Sequence, residues 1–431
     1  MPVRVSTAAL ITFGCKVNQV ESRAIEEALQ RGGFRLRCSS EPADAYVINS
    51  CSVTDASDQR CRQTLRQLRR RFPEATLVVT GCYAETQAAE VLDLPEVDLV
   101  VGNRDKSALV ERLQRRLGVE AAPEITAGPA AVSARRATTR AFLAIQNGCD
   151  RRCSYCIVPR ARGPSRSKPF DEVVAGVSEQ IARGYAEVVL TGINLGSYGR
   201  DLAPKRGLTD VLHATVGLAG RARIRLSSVE PAEIDDGLRA ALGLPHICPH
   251  VHLPLQSGAD RILEVMGRPY TAQVVRDLVR SLIQRRPETA IGADVIVGFP
   301  GESDADFDQT VALLRELSVA YLHVFSYSPR PGTAAERLGD GVTAETKASR
   351  GAELRRLGQA KWQAFQQASI GKELEAVVAR KRDPETRRRL TIAGNYLRIY
   401  VPDEPELVDH LVRVRVTELR GTMLEGSVVE R

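Results

Sequence analysis

The sequence predicts a mixed α/β protein of three successive styles. These are an N-terminal parallel-sheet α/β domain, a central partial (β/α)6 barrel of the triosephosphate isomerase type, and a C-terminal antiparallel β domain. Three observations predict it. Strand-like and helix-like stretches alternate through residues 8–120 and again from 138 to about 340. The segment between them, AAPEITAGPAAVSARRA, is rich in Ala, Pro and small residues and reads as a linker. Beyond Gly371 apolar and polar residues alternate with turn residues between the runs. At 431 residues the chain exceeds one ordinary core. The expected division is 1–120, a linker at 121–137, 138–365 and 366–431.

In the first domain ALITFG, AYVINS, ATLVVTG and VDLVVG are the expected strands. VESRAIEEALQRGGF and QRCRQTLRQLRRRF carry the helical period between them. Such alternation implies a parallel sheet that binds ligands at the carboxyl ends of its strands. In the second domain the strands are AFLAIQN, AEVVLTG, RIRLSS, HVHLPL, ADVIVGF and YLHVFSY, with helical patterns between them. Six strands in βα order suggest an open or partial barrel with its active site at the C-terminal strand ends. Residues 345–370 read as one long helix. ELEAVVAR, LTIAG, YLRIYVP, LVRVRVTEL and MLEGSVVE then form the small β domain.

The formal net charge is +7, with Arg-rich runs at 66–72 and 381–389. That balance permits a polyanionic partner, although solvated Arg-rich helix faces are common. No apolar run approaches the length of a membrane-spanning helix. TFGC at 12–15 slightly resembles a lipoprotein cleavage site, but the basic start is thin and the apolar stretch short. The expectation is a cytoplasmic protein without a membrane partner.

Nine cysteines are present, and six fall into two sets of three. Cys149, Cys153 and Cys156 in NGCDRRCSYC are spaced C-x3-C-x2-C on a loop after the first strand of the second domain. A structural zinc site would want a fourth ligand, and disulfides would want pairs. Cys15, Cys51 and Cys82 each follow a strand of the first domain, so topology gathers them on one rim. Sulfur-rich sites select zinc, copper(I) or iron–sulfur clusters. A 4Fe–4S cluster held by three thiolates keeps one iron open. Cys38, Cys61 and Cys248 lie outside both sets and are read as small hydrophobes or bystander thiols. HICPHVHLP offers His246, Cys248, His250 and His252 on one strand face, but Pro245, Pro249 and Pro254 argue against a regular strand there. Trp362 is read as a packing residue.

C-x3-C-x2-C resembles the signature of the radical S-adenosylmethionine (SAM) superfamily, in which the amino and carboxylate groups of SAM chelate the open iron. Cys149, Cys153 and Cys156 are then the catalytic cluster ligands. LTGINLGSYG, SSVEP and DVIVGFPGE resemble SAM-contacting segments and make Gly192, Asn194, Ser228, Glu230, Val297 and Gly298 candidate cofactor contacts. FGCKVNQVES, INSCSVTDAS and VVTGCYAE together resemble the radical SAM methylthiotransferases. In that family the N-terminal cysteines, here Cys15, Cys51 and Cys82, hold a second 4Fe–4S cluster. HLPLQSGADRILEVMGRPY also resembles a family segment and brings His252, Gln256 and Ser257 near the active site, with Gln256 a candidate cofactor contact. The C-terminal domain resembles the RNA-binding TRAM domain, with Tyr396 where a base could stack. Arg387, Arg388 and Arg389 are candidate phosphate contacts in a hairpin loop.

GCKVNQ followed by Glu21-Ser22 is closest to the subgroup that modifies N6-threonylcarbamoyladenosine in tRNA. Glu85 departs from the Gln expected after GCYA. The resemblance implies transfer of a methylthio group to carbon 2 of that base at tRNA position 37, using two 4Fe–4S clusters and two uses of SAM. It also implies an electron donor such as a flavodoxin or ferredoxin, and a monomer is expected. The alternative substrates are N6-isopentenyladenosine in tRNA and ribosomal protein S12. A zinc-bearing tRNA-binding protein without catalysis and a radical SAM methyltransferase are further rivals, and the latter leaves the N-terminal cysteines unexplained.

Overall fold

A computed structural model describes residues 6–119, 138–218, 220, 222–339 and 341–430. The linker expected at 121–137 lies outside the described residues. The chain separates into two compact units, and their boundaries do not follow the chain order. One unit joins residues 1–135 to 147–164 and 328–337. The other comprises 136–146, 165–327 and 338–431.

The first unit is built on five parallel strands: β1 (Thr7–Thr12), β2 (Arg35–Arg37), β3 (Ala45–Ser50), β4 (Thr76–Gly81) and β5 (Leu99–Val101). Their order is β2-β1-β3-β4-β5, so the chain reverses its direction of travel between β1 and β3. A ligand crevice belongs outside the carboxyl ends of strands at such a switch point. Alternation packs both faces. Tyr46, Ile48, Leu77 and Val79 meet Cys61, Leu65 and Leu68 of the helix Asp55–Arg71 on one side. Ala45, Val47 and Val78 meet Ile25 and Leu29 of the helix Lys16–Arg31 on the other. Burial on both faces explains why β3 and β4 are continuously buried and read as unbroken apolar runs. The short edge strand β2 carries two exposed arginines, and the sequence pattern did not predict it.

In the second part of the chain follow β6 (Ala141–Ala144), the two-residue strands β7 (Gln146–Asn147) and β8 (Arg166–Ser167), β9 (Glu187–Thr191), β10 (Arg223–Leu226), β11 (His250–Gln256), β12 (Ala290–Val297) and β13 (Tyr321–Ser326). The pairing makes two three-stranded parallel sheets, β10-β9-β6 and β11-β12-β13. Isolated parallel bridges, Ile224 to Ile247 and Ser228 to His252, connect them. The recorded pairing is thus an arc of six parallel strands rather than a closed barrel. One face of the arc carries Val188, Leu190, Ile224, Leu226, Val251, Leu253 and Ile291 against the surrounding helices. Burying one such side chain contributes roughly 1.5–3 kcal/mol. The alternate positions include a polar set: Glu187, Arg223, Arg225, His250, His252, Asp294, Tyr321 and His323. β11 runs through Pro254, which the sequence reading took as a break. The ladder absorbs it by a register shift between Leu253 and Gln256, and Gln256 adopts φ 68°.

The helix Ala344–Gln367 leads into a closed barrel formed by β14 (Glu373–Arg382), β15 (Arg389–Ala393), β16 (Arg398–Val401), β17 (Leu411–Arg420) and β18 (Met423–Glu430). The expected antiparallel sheet is present, except that β16 and β18 pair in parallel to close it. Ala376, Val378, Ile399, Val414, Val416 and Leu424 fill the barrel, with Trp362 and Phe365 packed beneath it.

Candidate cluster and cofactor sites

Both cysteine sets lie in the first unit. Cys15 caps the helix after β1, Cys51 directly follows β3, and Cys82 opens the short helix after β4. β1, β3 and β4 are sheet neighbours, so the three thiols share one rim although 67 positions separate the first from the last. Gly14 takes φ +105°, and a Cβ there would stand 2.8 Å from the Cys51 Cβ. The Cys15 thiol donates to Asn18 Oδ1 (3.3 Å), and Asn18 Nδ2 donates to the Ser50 carbonyl (2.9 Å). Asn103 Nδ2 lies 3.9 Å from Cys82 Sγ and donates to the Ala161 carbonyl at 2.7 Å. Burial pushes the Cys51 thiol up to about 11 and raises Cys82 as well. Buried thiols in this position ionise when a metal takes the proton's place. Two cations answer the charge that would follow, Arg162 and Lys106, which share the carboxylate of Glu21. Three convergent sulfurs with fixed cations beside them fit an iron–sulfur group.

The loop of Cys149, Cys153 and Cys156 is half-buried and tightly turned. Gly148 takes φ +74°, where a Cβ would meet the Pro164 carbonyl oxygen at 1.9 Å. Cys149 N–H donates to the Gly163 carbonyl at 3.1 Å, and Cys156 N–H to the Cys153 carbonyl at 3.0 Å. Residues 328–337 brace this loop, with Ala335 N–H donating to the Ser154 carbonyl at 2.7 Å. Arg330 from the same segment is buried on Asp58 and donates to Ser52 Oγ (2.7 Å), one residue past Cys51. Burial raises the Asp58 carboxyl despite that partner.

The other predicted cofactor residues sit at the carboxyl ends of the second unit's strands, as the fold requires. Gly192 and Asn194 follow β9, and the Asn194 N–H donates to Gln146 Oε1 (2.8 Å). Asn194 Nδ2 donates to Glu233 at 3.1 Å. Ser228 and Glu230 follow β10. The buried Ser227 Oγ beside them has no hydrogen-bond partner among the described residues. Gln256 ends β11; Val297 and Gly298 end β12, where the Gly298 N–H donates to Glu302 (2.7 Å). Both Glu230 oxygens accept from Arg268, each at 2.5 Å, so this carboxylate is committed to an ion pair.

The polar face of the arc holds charges that sequence reasoning did not single out. Glu187 is fully buried among three guanidiniums. Arg225 Nε lies at 2.6 Å, Arg223 Nη2 at 2.7 Å and Arg140 Nη1 at 3.4 Å. Burial opposes ionisation of Glu187, but Arg225 and Arg223 outweigh it and hold the carboxyl well below its ordinary range. Farther along, His252 Nε2 (2.8 Å) and His323 Nδ1 (3.1 Å) both meet Asp294 Oδ1. The Tyr321 hydroxyl bridges His250 and His252. His250 and His252 do share a face, with Tyr321 between them and Asp294 and His323 beside His252.

Two sequence expectations are corrected. Tyr396 does not present an open ring for a base. It takes φ +71° and packs under Arg225 (4.5 Å), Arg140 (5.4 Å) and His250 (4.7 Å). The strand before it is held by Arg225 and Arg223, which donate to the carbonyls of Gly394, Ala393 and Ile392. Nor do Arg387, Arg388 and Arg389 form one phosphate-facing cluster. Arg389 is buried on Asp403 (2.5 Å) and Arg388 pairs with Glu425 (3.0 Å), leaving Arg387 as the exposed member.

A strand arc bearing polar residues at its carboxyl ends, in a chain with a three-thiol loop, defines the radical SAM class, and residues 143–314 match the radical SAM superfamily. The TsrM radical SAM methyltransferase of Kitasatospora setae, solved with cobalamin and a 4Fe–4S cluster, shares this fold. Its TM-score is 0.54 at 17% identity, covering 75% of this chain and 77% of that one. Residues 7–102 match the uncharacterized protein family UPF0004. The chain belongs to the radical SAM methylthiotransferases. It is 38% identical to the threonylcarbamoyladenosine tRNA methylthiotransferase MtaB of Aquifex aeolicus, over 95% of this chain and 99% of that one. The Bacillus subtilis protein of the same name is 34% identical over 98% and 96%. The tRNA-2-methylthio-N(6)-dimethylallyladenosine synthase of Opitutus terrae is 34% identical over 97% and 96%. As a member of this family the protein is an enzyme that uses SAM and an iron–sulfur cluster. Among the described residues no helix is long and apolar enough to cross a membrane.

Proposed function

We propose that this enzyme adds a methylthio group to carbon 2 of N6-threonylcarbamoyladenosine at position 37 of tRNA. The observation that carries the reading is the pair of three-thiol sets in a chain similar along nearly its whole length to proteins of that name. Cys149, Cys153 and Cys156 would hold one 4Fe–4S cluster, and Cys15, Cys51 and Cys82 a second. When bound, these groups supply one-electron reduction of SAM, the radical that attacks an unactivated C–H bond, and the sulfur to be transferred. The protein's part is binding, orientation and electrostatics. Gly192, Asn194, Ser228, Gln256, Val297 and Gly298 would line the SAM site with backbone and neutral polar groups, while Glu230 acts through Arg268 as a support. Arg162 and Lys106 offset the negative charge of the N-terminal thiolates.

The domain reading keeps 1–120 for the second cluster, 138–365 for the radical SAM core and 366–431 for a TRAM-type RNA-binding barrel. Exposed Lys381, Arg387 and Arg398 on that barrel support contact with phosphates. A cytoplasmic monomer fed by a flavodoxin or ferredoxin completes the reading.

The test is nucleoside mass spectrometry of bulk tRNA from cells with and without the gene. Loss of the 2-methylthio form of threonylcarbamoyladenosine is expected. The Opitutus relative motivates the second reading, and loss of the 2-methylthio isopentenyl nucleoside instead would select it. Protein purified without oxygen should carry roughly eight irons per chain. Cys149→Ala should abolish SAM cleavage, whereas Cys51→Ala should stop sulfur insertion and keep some cleavage.

A further inference from the structure

Arg162 lies six positions after Cys156, and its side chain is 1% exposed. Its guanidinium reaches in two directions. Nη1 donates to Glu21 Oε1 (2.7 Å) and to Asn147 Oδ1 (3.1 Å), two residues before Cys149. Nη2 donates to Asn18 Oδ1 (2.6 Å) and to Glu21 Oε2 (3.3 Å). Asn18 is the same residue that accepts the Cys15 thiol and holds the Ser50 carbonyl next to Cys51. The preceding carbonyl, Ala161, receives Asn103, whose amide also approaches Cys82. One helical turn, Val158–Arg162, therefore touches the supports of all three N-terminal thiols and the entrance to the C-x3-C-x2-C loop.

An ion pair that only braced the chain would need the fork to Glu21 alone. The further contacts to Asn18 and Asn147 tie together segments 129 positions apart, each beside a thiol set. A planar guanidinium can hold such a divergent set of acceptors; a lysine ammonium cannot hold them in one plane. Three thiolates on a 4Fe–4S core also leave net negative charge, and the reduction potential of such a group follows nearby charge and hydrogen bonding.

We propose that Arg162 is a positioning residue that fixes the spacing of the two thiol sets and, through its buried positive charge, raises the reduction potential of the N-terminal cluster. The inference rests on the reading of both sets as cluster ligands.

The potential is tested in a background with Cys149, Cys153 and Cys156 all replaced by Ala, so that only the N-terminal cluster remains. EPR-monitored titration should give a lower midpoint for Arg162→Gln than for Arg162, with Arg162→Lys restoring it. Equal midpoints at equal iron content would overturn the charge role. The spacing is tested in the otherwise intact protein by pulsed EPR of the coupling between the two reduced clusters. Arg162→Lys and Asn147→Ala both keep a positive charge and should broaden or shift that coupling; an unchanged coupling in both overturns the positioning role. Should Arg162→Gln lose its iron, these two variants still decide the positioning role, and Glu21→Gln decides the charge role: freeing Arg162 of its counter-charge should raise the midpoint, and an unchanged midpoint overturns it. A parent protein holding only four irons, by contrast, would refute the two-cluster reading itself.

Discussion

Removing the Glu187 carboxylate should destabilise the second unit more than any other single polar change. Glu187 is 0% exposed and is the anion for Arg225, Arg223 and Arg140. Glu187→Ala leaves the buried Arg225 without a counter-charge and Arg223 with only the exposed Glu375 at 3.9 Å. Breaking a buried pair by deleting one partner costs about 3–5 kcal/mol, and the weakened second pair favours the upper end. Glu187→Gln keeps an acceptor and should cost roughly 2 kcal/mol, the value of a charged hydrogen bond. Glu375→Ala is the control, because that carboxylate stands 3.9 Å from Arg223 and is 56% exposed; its loss should cost less than about 1 kcal/mol. The assay is urea unfolding followed by the fluorescence of Trp362, the sole tryptophan, which packs edge-on against Tyr321 within the same unit. The midpoint should fall with an unchanged slope. The pH dependence has a definite sign. Glu187 is held well below 4.5 in the folded state, so its contribution is complete above pH 4.5. It is lost as pH falls through the lower folded value. The gap between wild type and Glu187→Ala should therefore stay constant from pH 8 to 5. A Glu187→Ala protein within about 1 kcal/mol of wild type would refute the argument that this charge cluster depends on its anion.

Gly148→Ala should lose the iron of the Cys149 set, lowering the content from roughly eight to four per chain by metal analysis, because its Cβ would overlap the Pro164 carbonyl. Arg389→Gln should lower the urea midpoint, because the buried guanidinium also donates to the Ala379 and Arg380 carbonyls. Arg387→Gln should leave stability unchanged and lower the salt slope of tRNA affinity by about 1. Asp294→Ala should cost roughly 1–3 kcal/mol by removing the acceptor shared by two histidines. The carboxyl of Asp294 is held near 2 by these hydrogen bonds, so its contribution is full above pH 3.8 and lost as pH falls through about 2.

The cysteine rim was legible because strand ends are local signals. VINSC and VVTGC announce a strand and the residue after it, and parallel topology then gathers what the chain separates. The C-terminal strands were legible for the same reason, through period-two alternation. What could not be read were pairings set by distance alone. Arg330 and Asp58 are 272 positions apart, and no local period marks either as buried. Glu187 looked like the polar start of an apolar strand, because its partners lie on another strand. Tyr396 was misread because its motif fixes a turn, while what covers the ring is decided by Arg140, Arg225 and His250. Pro254 was legible as an irregularity within the strand HVHLPL, and the ladder does shift register there.

The turn at Gly394–Tyr396 bears on how this protein can be taken apart. The carbonyls of Ile392, Ala393 and Gly394 leading into it accept from Arg223 and Arg225, and its tyrosine ring covers two guanidiniums. A gene cut before residue 366 would remove those groups along with the barrel and leave buried guanidinium N–H groups of the arc without acceptors. Such a truncation, made to ask whether the tail recruits RNA, would report first on misfolding. By the same reasoning a tail borrowed from a homologue would graft cleanly only if it brought carbonyls that satisfy Arg223 and Arg225. Arc and tail therefore share one polar network, and separating their roles requires point changes on the outer barrel surface.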